Sequence, residues 1–418
     1  MVKLLIIADD FTGALDTGIQ FAKHGISTQV FTKYKLEDQD IKQETEVLVV
    51  DTESRPMSQK EAYKIVNEIT QWAIKKGISI ILKKTDSALR GNIGAELQGV
   101  VDACDKSPLF FLPSHPKIQR ITRNGVHYIS GELLEKSVFG QDPFEPVTKS
   151  YIPDIIRQQS SVPVACIGAR ESIPSYMMKE RKIIVCDIEK IEDFDSRLEE
   201  VIHNNGMVLF AGCAALGEQL VEKIPFHLIS RKTFHQTEEL YMACGSLNSI
   251  TCKQIEYAEK NGGFTRRHLT SEQKLNLDYY KTKGGKDFVD DIIKLCVEKK
   301  KLIIDTIDVA EEKYNFIKGN KISKKQMRTL IPKTHGVIMR ELMEHKLDVT
   351  CFITGGDTLM GYMRLIGCTQ VEPICEIEQG AVVSLLTWNG HCQQIVSKSG
   401  GFGTEDILCR IAEKIIKK

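Results

Sequence analysis

Short runs of apolar residues recur along the first half of the chain, and most are followed by a turn residue and a helix-length segment. The runs are continuous and rich in β-branched residues, which is typical of strands covered on both faces of a parallel sheet. Between them, Gln59–Lys76 has the periodicity of an amphipathic helix that ends at Gly77. The predicted strands are Lys3–Ala8, Val47–Val50, Ile78–Lys83, Leu109–Leu112, Lys182–Asp187 and Met207–Ala211.

The pattern lapses at Pro225–Gln236, where a proline and two histidines occur without clear periodicity. A second α/β series then begins, and the polar segment Asp308–Lys325 within it predicts an exposed loop. A chain of 418 residues is also long enough for two domains with sizeable cores. We therefore expect two α/β domains with mainly parallel sheets, residues 1–230 and 231–418, and an active-site cleft between them. The strands predicted for the second domain are Glu239–Cys244, Leu302–Thr306, Val349–Thr354 and an antiparallel pair, Ala381–Leu386 and Cys392–Ser397.

Composition narrows the classes of partner. Lysine plus arginine (56) equals aspartate plus glutamate (56), so no overall field attracts nucleic acid or an anionic membrane. The 12 cysteines include no Cys-x-x-Cys pair, which argues against zinc and thioredoxin-like sites. With no secretory pattern and no apolar run of membrane-spanning length, we expect a cytoplasmic protein with neither nucleic-acid nor membrane partners. A homo-oligomer is left open.

The first candidate motif, Ala8–Gly13, directly follows the first predicted strand and contains Asp9 and Asp10. Carboxylates at the carboxyl end of a strand lie where open α/β sheets bind ligands. Adjacent strand residues point to opposite faces, so only one of the two need face a ligand. The alternative is that Asp10 or Thr12 merely caps the following helix.

Two further post-strand loops carry cations. Asp51–Pro56 includes Arg55, whose planar fork suits a carboxylate, although a lone loop arginine is often a surface charge. Lys83–Asn92 combines cations, an acid and hydroxyl or amide groups, as holding a polyhydroxy carboxylate requires. The candidate acid-binding residues are Asp9, Asp10, Arg55, Lys84, Thr85, Asp86, Ser87 and Arg90.

A fourth polar loop, Pro113–Gly131, adds Arg120, Asn124, Gly125 and His127. The histidine is either a ligand-binding group or a hydrogen-bonded core residue, and the second interpretation is the commoner one for such a position.

The second half of the chain contains three Gly-rich turns between a strand and a helix. Such turns present free backbone amides at a helix N-terminus and let the backbone approach a phosphate closely. Three in one domain favour nucleotide phosphates, whereas Asp357 could either serve Mg²⁺ or cap its helix. The candidate nucleotide-binding residues are Ser246, Gly355, Gly356, Asp357, Thr358, Gly400 and Gly401.

Taken in order, from Asp9–Gly13 to Gly400–Gly403, these segments resemble the four-carbon acid sugar kinase family over essentially the whole chain. The resemblance implies an N-terminal domain that binds a sugar acid and a C-terminal domain that binds ATP. Known activities of the family include kinases for D-threonate, D-erythronate and 3-oxotetronate that give 4-phosphorylated acids. By position, the resemblance puts Asp10, Arg55 and the loop Lys84–Arg90 at the acid. It puts three sets of residues at ATP: Ser246, Gly355 to Thr358, and Gly400.

The chain departs from the family pattern at two places. The family usually has Gly-Arg where this chain has Gln119 and Arg120, and Gly-Ser-x-Ser where this chain has Asn248 in the last position. The first departure bears on substrate preference, and the second is mild because asparagine also caps helices.

The expected reaction is Mg²⁺-dependent phosphoryl transfer from ATP, in which Asp10 or Asp86 accepts the proton of the terminal hydroxyl. Three other functions compete with it. A sugar-acid sensor would not need three phosphate-suited turns. A dehydrogenase or aldolase-like enzyme is disfavoured because the chain has no dinucleotide-binding turn after its first strand and no patterned metal site. Another carbohydrate kinase remains open.

Overall fold

The structure is a computed structural model, and it describes residues 1–104, 107–141, 146–202, 207–230, 232–245, 248–307, 324–398 and 403–417. The chain divides into two compact units, Met1–Arg231 (unit 1) and Lys232–Lys418 (unit 2). A search of the described helices finds none that is both long and apolar enough to cross a membrane.

Unit 1 is built around a wholly parallel sheet with the strand order β2-β3-β1-β4-β11-β5-β10-β9, beside a small antiparallel sheet β6-β7-β8. Its helices are α1 (Phe11–Ala22), α2 (Gln59–Lys75), α3 (Ile93–Asp102), α4 (Ile152–Arg157), α5 (Glu192–Ile202) and α6 (Ala214–Lys223). Its strands are β1 (Leu4–Ala8), β2 (Thr28–Phe31), β3 (Val47–Asp51), β4 (Ile80–Lys84), β5 (Leu109–Leu112), β6 (Arg120–Arg123), β7 (Val126–Ile129), β8 (Glu132–Leu133), β9 (Val164–Ile167), β10 (Ile183–Cys186) and β11 (Val208–Gly212).

Helices cover both faces of this sheet, because alternate residues of each strand point to opposite sides. Leu5 and Ile7 of β1 share a buried cluster with residues of α2, α3 and α4. The opposite face receives α1, where a Cβ on Gly18 would lie 3.2 Å from a methyl of Val30 and 3.4 Å from one of Val49. Helix α1 also packs against α6. The connections that follow β1 and β4 therefore leave the sheet towards opposite faces.

Unit 2 has a mixed sheet with the order β13-β14-β12-β15-β18-β17-β16, parallel from β13 to β18 and antiparallel from β18 to β16. Its described helices are α7 (Ser249–Asn261), α8 (Ser271–Leu275), α9 (Lys283–Lys299), α10 (Lys324–Glu344), α11 (Gly356–Ile366) and α12 (Ile407–Ile415). Its described strands are β12 (Glu239–Cys244), β13 (Thr265–His268), β14 (Lys301–Asp305), β15 (Val349–Thr354), β16 (Gln370–Glu378), β17 (Ala381–Trp388) and β18 (His391–Lys398).

The structure confirms the predicted α/β class and the antiparallel pairing of β17 with β18. The interpretation of Pro113–Gly131 as a loop is wrong: Asn124 (φ +53°) and Gly125 (φ +70°) form the tight turn of a hairpin between β6 and β7. Adjacent Asn-Gly is a strong sequence signal for such a turn, so this hairpin could have been predicted from the sequence. Of the predicted loop Asp308–Lys325, residues 308–323 lie outside the described residues and the last two begin α10.

Candidate active site

The candidate site of unit 1 lies at the carboxyl edge of its sheet. Strand β1 lies between β3 and β4, with Ala8 opposite both Asp51 and Lys84. The loops that follow these three strands are therefore neighbours. The loops after β1 and β4 depart towards opposite faces of the sheet. A crevice of this kind is where open parallel sheets bind ligands.

Arg55 links these three loops. Its Nε donates to Asp9 Oδ2 at 2.7 Å, and its Nη1 lies 3.0 Å from Asp10 Oδ2. Its Nη2 lies 4.0 Å from Asp86 Oδ1. Burial alone would lower the pKa of Arg55, but these carboxylates outweigh burial and raise it. The guanidinium is thus directed at carboxylates of its own chain, which fixes the loops relative to one another.

The two aspartates after β1 differ in environment. Asp9 is buried, and its Oδ1 has no hydrogen-bond partner among the residues that the structure describes, whereas the side chain of Asp10 is 31% exposed. Burial would raise the pKa of Asp9, but Arg55 and the neighbouring lysines outweigh it, so the pKa is lowered. Asp10 caps α1 by accepting a 3.0 Å hydrogen bond from Gly13 N. The capping interpretation of Asp10 is correct, and the same side chain also borders the crevice.

The lysine pair at the end of β4 splits between the two faces of the sheet. Lys83 Nζ is fully buried, lies 3.0 Å from Glu96 Oε2 of α3 and donates to the carbonyl of Lys84. Lys84 Nζ instead lies over the first turn of α1, where a Cβ on Gly13 would come within 2.3 Å of it. Glycine at position 13 leaves room for the ammonium in this position, where it lies 3.9 Å from Asp9 Oδ1. Burial would lower the pKa of Lys84, but Asp9 and Asp10 raise it.

The loop after β4 is held by an ion pair within it. Arg90 donates through Nε to Asp86 Oδ2 at 2.8 Å and through Nη2 to Oδ1 at 3.1 Å. Burial would raise the pKa of Asp86, but Arg90, Arg55 and Lys84 hold it well below its usual range. Thr85 is buried and its hydroxyl has no hydrogen-bond partner. Ser87 Oγ accepts a hydrogen bond from Arg120 Nη1.

His127 is a hydrogen-bonded core residue, the commoner of the two sequence interpretations. It is fully buried, and burial lowers its pKa to about 4, so the ring is neutral. Its Nε2 donates to the Ser87 carbonyl at 3.1 Å, which leaves Nδ1 to accept from Thr122 Oγ1 at 3.1 Å. Thr122 Oγ1 in turn accepts from Ser114 Oγ at 3.0 Å. This chain of hydrogen bonds fixes the backbone at Ser87.

Sequence reasoning gave no specific role to two residues that shape the site. Asn92 donates through Nδ2 to the carbonyls of Ser54 (2.9 Å) and Met57 (2.8 Å), and so holds the Arg55 loop. Asp51 ends β3 with Oδ2 buried and without a hydrogen-bond partner, and burial raises its pKa well above the usual range. Asn92 lies inside a motif already singled out, but a buried aspartate with a raised pKa has no signature in a single sequence.

In unit 2, β15 enters α11 through Gly355, whose φ of +95° and ψ of 131° disfavour other residues. Positive φ in this Gly-Gly turn is at Gly355, while Gly356 opens the helix and Asp357 and Thr358 lie in its first turn. A Cβ on Gly245 would lie 2.3 Å from Thr358 Oγ1, so the turns after β12 and β15 are closely packed. Ser246, Gly400 and Gly401 lie outside the described residues.

A third residue missed by sequence reasoning is Lys398, the last residue of β18. It is buried beside Thr354 in the parallel register, and burial lowers its pKa to about 8. Within the described parts of the chain, no group of three or more His, Cys, Asp or Glu side chains could hold a metal ion.

Two family models match the chain: a sugar-binding N-terminal domain over residues 4–220, more than half of the chain, and a nucleotide-binding C-terminal domain over residues 241–408. A D-threonate kinase of Salmonella typhimurium is 25% identical over 98% of this chain and 97% of its own length. A D-erythronate kinase of Heliobacterium modesticaldum is 23% identical over 100% and 98%. The chain belongs to the four-carbon acid sugar kinase family.

Membership of this family makes the chain an ATP-dependent phosphotransferase with an alcohol acceptor, since the similar curated proteins are kinases. A 3-oxo-tetronate kinase of Escherichia coli is 28% identical over 38% of this chain and 42% of its own length. A crystal structure from Salmonella typhimurium, described provisionally as a tRNA synthase, aligns over 99% of this chain and 100% of its own length with a TM-score of 0.79 and 18% identity. A Haemophilus influenzae protein aligns over the same shares with a TM-score of 0.73 and 20% identity. At these identities the two structures show a shared fold alone.

Proposed function

We propose that this kinase transfers the γ-phosphoryl group of ATP to the 4-hydroxyl of a four-carbon sugar acid such as D-threonate, D-erythronate or 3-oxotetronate. We assign the acid to residues 1–230 and ATP to residues 231–418. Relatives that align over nearly the whole chain carry the first two of these substrates in their names. The two family models describe sugar binding for the first part and nucleotide binding for the second.

The observation that carries the proposal is the set of charged side chains at the carboxyl edge of the unit 1 sheet. Arg55, through Asp9 and Asp10, joins the loops after β1 and β3, and Arg90 fixes Asp86 in the loop after β4. Such a pre-formed array suits a small, polar, charged substrate, because its groups need little reordering when the substrate binds.

Asp10 is the stronger candidate for the general base. Its side chain is 31% exposed, against 10% for Asp86, so it can reach a substrate hydroxyl. Both oxygens of Asp86 accept hydrogen bonds from Arg90, which also favours the ionised form and weakens Asp86 as a proton acceptor. We therefore assign proton acceptance to Asp10 and substrate positioning to Asp86.

For the nucleotide, the turn at Gly355 and the buried Lys398 give backbone amides and a cation at the carboxyl edge of the unit 2 sheet. Asp357 fits Mg²⁺, which proteins hold through one or two carboxylates together with phosphate oxygens rather than through a dedicated cage. When bound, Mg²⁺ would neutralise charge on the phosphates. In this arrangement Ser246, Gly356, Thr358, Gly400 and Gly401 remain candidate phosphate-binding residues.

The test is ADP formation from ATP and Mg²⁺ with D-threonate, D-erythronate, 3-oxotetronate and their enantiomers, followed by phosphorus and proton NMR of the product. We expect one acid to stimulate ADP formation strongly and to carry the new phosphate on its terminal carbon. Tight binding of an acid with no ADP formation would identify a sensor instead. Phosphorylation at another hydroxyl would remove the assignment of the 4-position.

A further inference from the structure

Among the cations that border the crevice of unit 1, Arg55, Lys83, Lys84 and Arg90 already have carboxylate partners within the chain. Arg55 pairs with Asp9 and Asp10, and Arg90 with Asp86. The two lysines of β4 pair with Glu96 and, more distantly, with Asp9. A carboxylate of a substrate that approached any of these would compete with a partner already in place.

Arg120 is different. It begins β6 and is partly buried, yet no described carboxylate oxygen lies within ion-pair distance of its guanidinium. Burial, which is the largest influence, lowers its pKa, and Asp86 counteracts this only in part. A partly buried cation without a counter-ion is costly, and a bound anion would offset that cost.

The surroundings hold the Arg120 guanidinium in a defined orientation. It lies over the ring of Phe139 at 4.9 Å from the centroid, and Arg90 lies over the same ring at 5.2 Å. Nη1 donates to Ser87 Oγ, and the Ser87 backbone is itself fixed by His127. A guanidinium that stacks through its face keeps its in-plane N–H groups available, and these are the groups that bind a carboxylate bidentately.

We propose that Arg120 binds the carboxylate of the acid substrate. This inference rests on the proposed function and names the residue that distinguishes an acid from a neutral polyol. It also places Ser87 at the substrate, because a bound carboxylate on Arg120 would lie beside the serine that Arg120 already contacts.

The test compares Arg120→Gln with Arg123→Gln in the full-length protein. Arg123 is on the same strand but exposed, and it pairs with Glu189, so its loss controls for removing a cation from β6. Calorimetry would measure the Kd of the acid that serves as substrate, and steady-state assays would give kcat/KM for that acid and for the tetritol of the same configuration.

We expect Arg120→Gln to weaken acid binding by about 30- to 1000-fold, the range for losing one member of a desolvated charge pair. The kcat/KM for the tetritol should hardly change, and Arg123→Gln should leave both substrates unaffected. Arg120→Lys should restore part of the acid affinity, because it keeps the charge but not the planar fork. If Arg120→Gln does not fold, Arg120→Lys decides alone: weaker acid binding supports the proposal, and native affinity overturns it.

Two negative results separate this inference from the proposed function. If the native enzyme binds and phosphorylates no four-carbon acid, the proposed function fails and the assignment of Arg120 fails with it. If the native enzyme is an acid kinase and Arg120→Gln binds the acid with native affinity, the function stands and the assignment of Arg120 is overturned.

Discussion

The carboxyl edges of the two sheets carry different kinds of chemistry. In unit 1 the groups are charged side chains in an interlocked set, with Arg55 bonded to Asp9 and Asp10 and Arg90 to Asp86. In unit 2 the described groups are a strand-to-helix turn at Gly355, small hydroxyls and the buried lysines Lys274 and Lys398. The buried Asp305 at the end of β14 is also there, paired with Arg266 and His268 of β13. The carboxyl edge of unit 1 therefore offers charged side chains from several loops, whereas that of unit 2 adds a Gly-rich turn with free backbone amides.

The difference matches what each proposed ligand requires. A short sugar acid presents a carboxylate and hydroxyls whose arrangement must be distinguished from that of similar molecules, which calls for several side chains of fixed geometry. A triphosphate presents the same oxygens in every nucleotide, and backbone amides at helix N-termini suffice to hold them. We therefore expect substitutions in unit 1 to change which acceptor is used, and substitutions in unit 2 to change nucleotide affinity for every acceptor.

The largest effect should come from Asp10→Asn, which should lower kcat by about 10²- to 10⁴-fold, the usual contribution of a positioned base. Asparagine can still accept the hydrogen bond from Gly13 N, so the cap of α1 and the melting temperature should be retained. Asp86→Asn is the matched comparison and should act mainly on KM. A greater loss of kcat in Asp86→Asn than in Asp10→Asn would transfer the role of base to Asp86.

The two lysines of β4 should differ sharply in stability. Lys83→Met leaves Glu96 buried without its cation and should lower the free energy of unfolding by about 3–5 kcal/mol in urea denaturation. Much of this loss should return in the double variant with Glu96→Leu. Lys84→Met should lower the free energy of unfolding by less, because Asp9 remains paired with Arg55. It should nevertheless impair turnover of the acid. Equal losses of stability in the two single variants would contradict the division of roles.

A backbone site in unit 2 predicts sensitivity to glycine conformation. Gly355→Ala should weaken ATP binding by about tenfold or more, because alanine is strained by roughly 1–3 kcal/mol at this φ and ψ. Among the described residues the new methyl group meets only Thr358 Oγ1, at 3.7 Å, so the effect would be conformational. Gly367→Ala, at the other end of α11 with φ +68°, is the control and should bind ATP normally. Similar ATP affinities, by calorimetry, in both variants would argue against the turn as a phosphate site.

The smallest effect concerns the pH dependence of stability. Burial raises the pKa of Asp51 in the folded protein, so the folded state keeps a proton that the unfolded chain releases. The resulting stability is present below the unfolded pKa and is lost as pH rises towards the folded pKa. Asp51→Asn cannot ionise, so its melting temperature relative to the native protein should rise by a few degrees as the pH increases above the ordinary aspartate pKa of about 4. A difference in melting temperature that stays constant with pH would show that Asp51 is not protonated in the fold.

The sequence predicted the central strands well because their apolar runs are continuous, and β5, β12 and β15 have the predicted bounds. It missed β2, where Thr28 and Gln29 are polar but buried, since Gln29 Oε1 accepts a hydrogen bond from Lys42 N that no local pattern shows. Periodicity reports burial by apolar side chains, whereas a satisfied buried amide depends on a distant partner.

The sequence assigned the candidate acid-binding residues to loops that follow strands, but it predicted neither the order of those strands nor the pairings of the side chains. Arg55 pairs with Asp9 and Asp10 because β3 lies beside β1 in the sheet. Lys83 and Lys84 point to opposite faces, and Lys83 finds its partner, Glu96, on α3. Neither pairing is local in sequence. Arg120 stood in a motif already noted, but its lack of a carboxylate partner is a property of the folded chain.

The most direct test of the central claim is the acceptor selectivity of the native enzyme, measured as kcat/KM for D-threonate and D-erythronate beside D-threitol and erythritol, at saturating ATP and Mg²⁺. We expect at least one acid to exceed its tetritol by about 30-fold or more, since a desolvated charge pair with the carboxylate is absent for the polyol. Equal kcat/KM values for acid and tetritol would contradict an acid-recognising site in unit 1 and would make a broader polyol kinase the better description.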